Sequence, residues 1–203
     1  SKVKSIIIRN FVDEIYLEKF RSKKLPQEKN LNIVFLGSLS KRKRPLLLID
    51  ILSELKKENF VLNFVGDGPL NLKIKKKIKI LDMDEKILIH GFVDHPHKIV
   101  SKCDLLVLPS ISEGISRAVL ECLYLGLKCI VFDVDANSEI AQKCNELYVV
   151  KNKEELKNKL LYFIKNKQIF NKRINSLPYE YSQKESIKRL INVLKKYDLK
   201  YYN

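Results

Sequence analysis

Two glutamates with seven residues between them stand out in Pro109-Ser110-Ile111-Ser112-Glu113-Gly114-Ile115-Ser116-Arg117-Ala118-Val119-Leu120-Glu121, a stretch that Gly126 closes. The uniformly apolar Leu105-Leu106-Val107-Leu108 before it reads as a strand buried on both faces, and the apolar period after Ser116 predicts a helix over 117–125. A small-residue loop between strand and helix points free backbone N–H groups and the positive end of a helix dipole outward, which makes an anion site. Glu113 stands in that loop. Glu121 lies about a turn into the helix and, Arg117 apart, is its one charged residue. A carboxylate has two oxygens that can accept from the vicinal hydroxyls of a ribose, and this chemistry explains a lone acid on an apolar helix. The competing reading is an i, i+4 salt bridge with Arg117. That pairing is the poorer orientation, since Arg precedes Glu and places a cation at the positive helix end. Glu113 alone would read as a plain exposed loop acid.

The elements that must position these residues repeat one pattern along the chain. Strand-like runs fall at 33–36, 61–65, 87–90, 105–108, 129–132 and 147–150, and helical stretches at 45–57, 69–81, 96–102, 117–125, 138–143 and 153–166. Three of those helical stretches begin on a proline, Pro45, Pro69 and Pro96, which suits the first helical position. Apolar strands alternating with helices predict an α/β fold, a Rossmann-like doubly wound parallel sheet, with ligands outside the carboxyl ends of the strands. Residues 31–180 form this unit, 1–30 a linker segment with a brief helical stretch, and 181–203 an amphipathic helix and tail.

At the end of such a strand, the glutamate motif resembles the E-x7-E signature of the retaining GT-B glycosyltransferases of the GT4 family. The resemblance continues in order through Gly37-Ser38-Leu39-Ser40-Lys41-Arg42-Lys43, Gly66-Asp67-Gly68-Pro69 and Gly91-Phe92-Val93, while Asn10-Phe11-Val12-Asp13 is similar to the turn that leads into the family's C-terminal domain. The resemblance implies the donor-binding half of a two-domain enzyme, with an N-terminal acceptor domain of similar size missing and a histidine often supplied from it. By position, Glu121 would hold the donor ribose and Glu113 the transferred sugar. The backbone of Gly114, Ile115, Ser116 and Arg117 would receive the distal phosphate, and Lys43 with Arg42 would neutralise the leaving diphosphate. Gly37, Gly66, Asp67, Gly68, Phe92 and Val93 complete the implied donor site, the glycines by letting backbone approach the donor closely. A nucleotide sugar is then substrate rather than cofactor, and cations with helix-end amides make a metal unnecessary. Ser38 replaces the arginine frequent in the family, with Arg42 as the compensating cation, and Ile115 stands where Phe is common. The loop 133–139 lacks the family's glycine-rich sugar motif.

Composition bounds the other readings. The chain has 203 residues, 45% hydrophobic and 31% charged, as a folded globular protein would. No apolar run reaches the ~18 residues of a membrane span. With Ser1 first and Met83 the single methionine, the chain reads as a fragment or processed product, and its expected place is cytoplasmic. The net charge of +15 is carried mostly by lysine. It reads as a solvated surface attracted to anions, compatible with peripheral membrane contact near a lipid-linked acceptor, where an exposed lysine gains about 1 kcal/mol. Nucleic acid is disfavoured because the lysine runs lack interleaved aromatic residues. Cys103, Cys122, Cys129 and Cys144 have no C-x-x-C spacing and read as core side chains in a reducing compartment. Asp133-Val134-Asp135 is a D-x-D, the metal signature of the other large glycosyltransferase fold, but Asp82-Met83-Asp84 repeats the triplet and shows how cheaply it arises. His95-Pro96-His97 reads as a helix opening at the surface. A sugar-nucleotide epimerase of the same architecture is the nearest enzymatic alternative.

Overall fold

The computed structural model describes residues 9–21, 29–134 and 137–196. The apolar run at 6–8, the break at Pro26 and Asp135 lie outside them. Six strands, β1 (Leu31–Leu36), β2 (Phe60–Val65), β3 (Ile87–Gly91), β4 (Leu105–Leu108), β5 (Lys128–Phe132) and β6 (Leu147–Val150), form one sheet. The order is β3-β2-β1-β4-β5-β6, and every neighbouring pair is parallel. This is the doubly wound arrangement that the alternation predicts. Its two halves meet between β1 and β4, where ligands bind in such sheets. Pairing there covers Ile33 with Leu105 and Val34 with Leu106 and stops two residues short of both strand ends, so a crevice opens at the carboxyl edge.

Helices α1 (Glu14–Glu18), α2 (Pro45–Glu54), α3 (Asn71–Ile80), α4 (His97–Val100), α5 (Arg117–Tyr124), α6 (Asn137–Ala141), α7 (Lys153–Lys165) and α8 (Gln183–Lys196) accompany the strands, with short 3-10 turns at Lys167–Phe170 and Tyr179–Tyr181. Pro45 opens α2 as the first helical residue. Pro69 instead precedes α3 by two residues and Pro96 is the residue before α4, so only one of the three prolines plays the predicted part. Asp13 caps α1 and Asn152 caps α7, their side chains accepting from the N–H of Tyr16 and Glu155. No side chain caps α5.

Burial follows the strand pattern. All four residues of β4 are buried, and Ile33, Phe35, Leu62, Phe64, Ile130 and Val131 fill the sheet's faces against α2 residues such as Leu48 and Leu52 and α7 residues such as Leu156 and Leu160. Val12 and Leu17 from the N-terminal flank and Tyr181 near the C-terminal flank belong to the same core. All four cysteines are free and buried, and burial pushes the thiols of Cys122, Cys129 and Cys144 up.

Candidate functional site

The loops leaving β1 and β4 join over the crevice. The N–H of Ile111 donates to the carbonyl of Arg42 at 2.8 Å, and Arg42 Nη1 donates to the carbonyl of Ser112 at 2.6 Å and lies 3.3 Å from Glu113 Oε1. Lys43 Nζ forms an ion pair with the same carboxylate oxygen, and the two residues are only 8% and 7% exposed. Glu113 is thus no plain exposed loop acid. It is the buried acceptor of two cations contributed by a segment 70 residues away in sequence. Lys43 reaches it by passing over Gly37, where an added Cβ would lie 3.7 Å from Lys43 Cε. The same loop ends on Arg44, whose left-handed φ of 54° is costly for a residue with a side chain and sets the turn into Pro45.

Glu121 is held at both oxygens. Arg117 Nη2 lies 3.3 Å from Oε1, so the i, i+4 pair that helix electrostatics disfavours does form, though with the arginine side chain 69% exposed. His97 Nε2 lies 3.0 Å from Oε2. The surface reading of His97 is therefore corrected: it is 7% exposed, because Tyr16 and Phe20 from the N-terminal flank cover it with ring centroids at 5.5 and 5.8 Å. Tyr16 also hydrogen-bonds His95 Nδ1, and Tyr124 donates to Glu18, fastening α1 across α4 and α5. Nothing in the sequence links His97 to Glu121, which is 24 positions on, and the aromatic pair lies farther off still.

A third group lies at the carboxyl ends of β1 to β3. A cleft of about 310 Å³ is lined by Gly37, Gly66, Asp67, Phe92, Val93 and Pro96 among others, with Phe92 81% exposed at its rim. The glycines here serve chain against chain. An added Cβ at Gly66, whose φ is +135°, would stand 2.2 Å from the carbonyl oxygen of Gly37, and one at Gly68 would stand 2.8 Å from the backbone of Leu39. Close approach is needed, but between the two loops. Asp67 accepts from the N–H of Gly68 and from Asn71 Nδ2, both at 2.7 Å, and these bonds hold its carboxyl below the usual range. It acts as a staple between the loop and α3.

Gly114 has open space where a Cβ would go, and the loop beside it is tied down by Asn10, whose Nδ2 donates to the carbonyl of Ile115 at 2.9 Å. Ser116 is buried next to the uncapped start of α5. The sequence-derived residues thus form three groups along one edge of the sheet: Arg42, Lys43 and Glu113; Arg117 and Glu121; and Gly37, Gly66, Asp67, Phe92 and Val93. Among the described residues no three His, Cys, Asp or Glu are gathered as a metal would need. None of the described helices is long and apolar enough to cross a membrane.

Comparison with known proteins matches residues 17–179 to the family described as glycosyl transferases group 1. A Campylobacter jejuni N-acetylgalactosamine-N,N'-diacetylbacillosaminyl-diphospho-undecaprenol 4-alpha-N-acetylgalactosaminyltransferase is 34% identical over 106 residues, covering 52% of this chain and 28% of that protein. The Escherichia coli O-antigen biosynthesis glycosyltransferase WclY is 26% identical over 181 residues, covering 86% of this chain and 50% of its own length. Anabaena HepE, solved in complex with UDP and glucose, superposes with a TM-score of 0.71 at 18% identity, over 82% of this chain and 48% of that one. The matched region is half or less of each of these proteins.

Proposed function

Because this chain belongs to the group 1 glycosyl transferases, we propose that it is the donor-binding domain of a retaining glycosyltransferase, which takes a nucleoside diphosphate sugar and passes a hexosyl-type sugar to a glycan or lipid-linked acceptor held by a second domain. One observation carries the reading. At the junction of the two half-sheets, Lys43 and Arg42 converge with Glu113 next to the uncapped start of α5. A leaving diphosphate needs that combination of cations and free amides, and fixed positive charge in a water-poor crevice stabilises it without a metal. Glu113, already inside this cluster, faces the sugar. Glu121 accepts from the ribose hydroxyls, and the cleft at Phe92 and Val93 receives the base against an exposed aromatic face.

The relatives support this direction: WclY is named for O-antigen biosynthesis, the Campylobacter enzyme for a diphospho-undecaprenol substrate, and HepE was solved with UDP. Calorimetry of the chain with UDP and with GDP, in EDTA, tests the proposal. Binding of one of them is expected, with Lys43→Met abolishing it. Binding that vanishes in EDTA and returns with Mn²⁺ would overturn the metal-free reading. The chain alone is expected to transfer sugar poorly or not at all, because donor and acceptor must be oriented together by two domains.

A further inference from the structure

Resting on that reading, we propose that His97 is a positioning residue for the nucleotide: its imidazole, locked by Tyr16 and Phe20, fixes the carboxylate of Glu121 in the orientation that accepts the ribose hydroxyls. The three elements involved are distant in sequence and are brought together by the fold. His97 begins α4, Glu121 lies in α5, and the two aromatic residues come from the segment that precedes the sheet. The ring is held edge-on by Tyr16, with an interplanar angle of 78°, and at 38° by Phe20, so it has little freedom to turn. Its Nδ1 is buried and finds no hydrogen-bond partner. An ionised carboxylate only accepts, so the 3.0 Å contact has Nε2–H donating to Glu121 Oε2.

This leaves the two carboxylate oxygens unequal. Oε2 is bound to a buried, caged donor. Oε1 is bound to a mostly exposed arginine, an interaction of the kind solvent competes for readily. A vicinal diol can displace Arg117 from Oε1 and use the remaining lone pair of Oε2 while His97 keeps the group from rotating. Each carboxylate oxygen has capacity for both partners. The N-terminal flank thereby sets the geometry of a nucleotide contact although it contributes no atom to it.

The test compares binding of UDP or GDP, whichever is tighter, with its 2',3'-dideoxy counterpart. The wild type is expected to prefer the ribose form. His97→Leu and His97→Asn, neither of which presents a donor at the Nε2 position, should cut that preference by about three- to tenfold, as the loss of one oriented hydrogen bond implies. His97→Gln carries an amide nitrogen to that position and should restore it. Melting temperatures identify folded variants, and the Asn variant serves if Leu fails to fold. If Glu121→Gln removes the ribose preference while every folded His97 variant keeps it, the positioning role is wrong and the donor reading stands. If Glu121→Gln keeps the preference, or the wild type has none, the ribose assignment fails and this inference falls with it.

Discussion

Replacing Glu113 with glutamine perturbs the centre of the proposed site while preserving its shape. The carboxylate is the counter-charge of Lys43, and both groups are nearly removed from solvent. Their attraction is on the order of 4 kcal/mol at contact distances and an effective dielectric of 20. Deleting one charge of a buried pair costs about 3–5 kcal/mol, because the other is left desolvated without a partner. The glutamine carbonyl can still accept from Lys43, so we expect a loss nearer 2–3 kcal/mol. At ~2–4 °C per kcal/mol for a domain of this size, the free protein should melt roughly 4–12 °C lower. Nucleotide reverses the balance. A bound diphosphate presents its own negative oxygens to Lys43, so the complex loses less than the free protein does, and UDP or GDP affinity should be retained or tightened. The sugar-bearing donor loses its contact with Glu113 and should weaken by about tenfold or more. Calorimetry with the diphosphate and with its sugar, alongside thermal melting, reads all three quantities. Equal weakening of both ligands would refute this division of roles, and an unchanged melting temperature would refute the buried ion pair itself.

The same geometry sets expectations for other residues. Glu121→Gln should weaken UDP and UDP-sugar alike by about 1–3 kcal/mol, whereas Arg117→Gln should leave both affinities within about 1 kcal/mol, because an exposed ion pair contributes little; a matching modest loss of stability in the two variants with no change in either affinity would reinstate a purely helical salt bridge. Gly66→Ala should destabilise the fold by more than about 2 kcal/mol, since its Cβ would stand 2.2 Å from the Gly37 carbonyl oxygen at a φ of +135°, while Gly114→Ala meets nothing within 4 Å and should be tolerated; denaturant melts compare them. Burial, aided by the hydrogen bond to Glu18, pushes the Tyr124 hydroxyl up to about 12 from 10. A raised pKa means its stabilisation is complete below pH 10 and is lost as pH climbs from 10 to 12; burial raises Tyr148 and Tyr181 as well, so ultraviolet titration should show several late-ionising tyrosines, of which Tyr124→Phe removes one. None of the four buried thiols should react with a thiol reagent in the native protein, and all four should react after unfolding.

The sheet was legible from local pattern alone. Leu105-Leu106-Val107-Leu108 announces a strand buried on both faces, and the alternation of such runs with helical periods leaves few topologies beyond a parallel doubly wound sheet. The pairing of Glu113 with Glu121, and the glycine-bearing turns after β1 and β2, were legible for the same reason: each motif is contiguous and sits at a strand end. Partners brought from elsewhere in the chain could not be assigned that way. The Arg117–Glu121 pair looks unfavourable by helix electrostatics, yet it forms, and the other oxygen of the same carboxylate is held by His97, which comes from a different helix. His97 reads as a surface residue because local pattern carries no sign of Tyr16 and Phe20, whose rings arrive from about 80 positions upstream. Gly66 reads as making room for a ligand, and the structure adds a second demand that local pattern does not show, the close approach of the Gly37 carbonyl from the neighbouring loop. Hydrophobic period and turn chemistry act between near neighbours, so they are written in the chain. Burial, charge pairing and steric exclusion depend on which distant segments meet, and only the packed tertiary structure decides that.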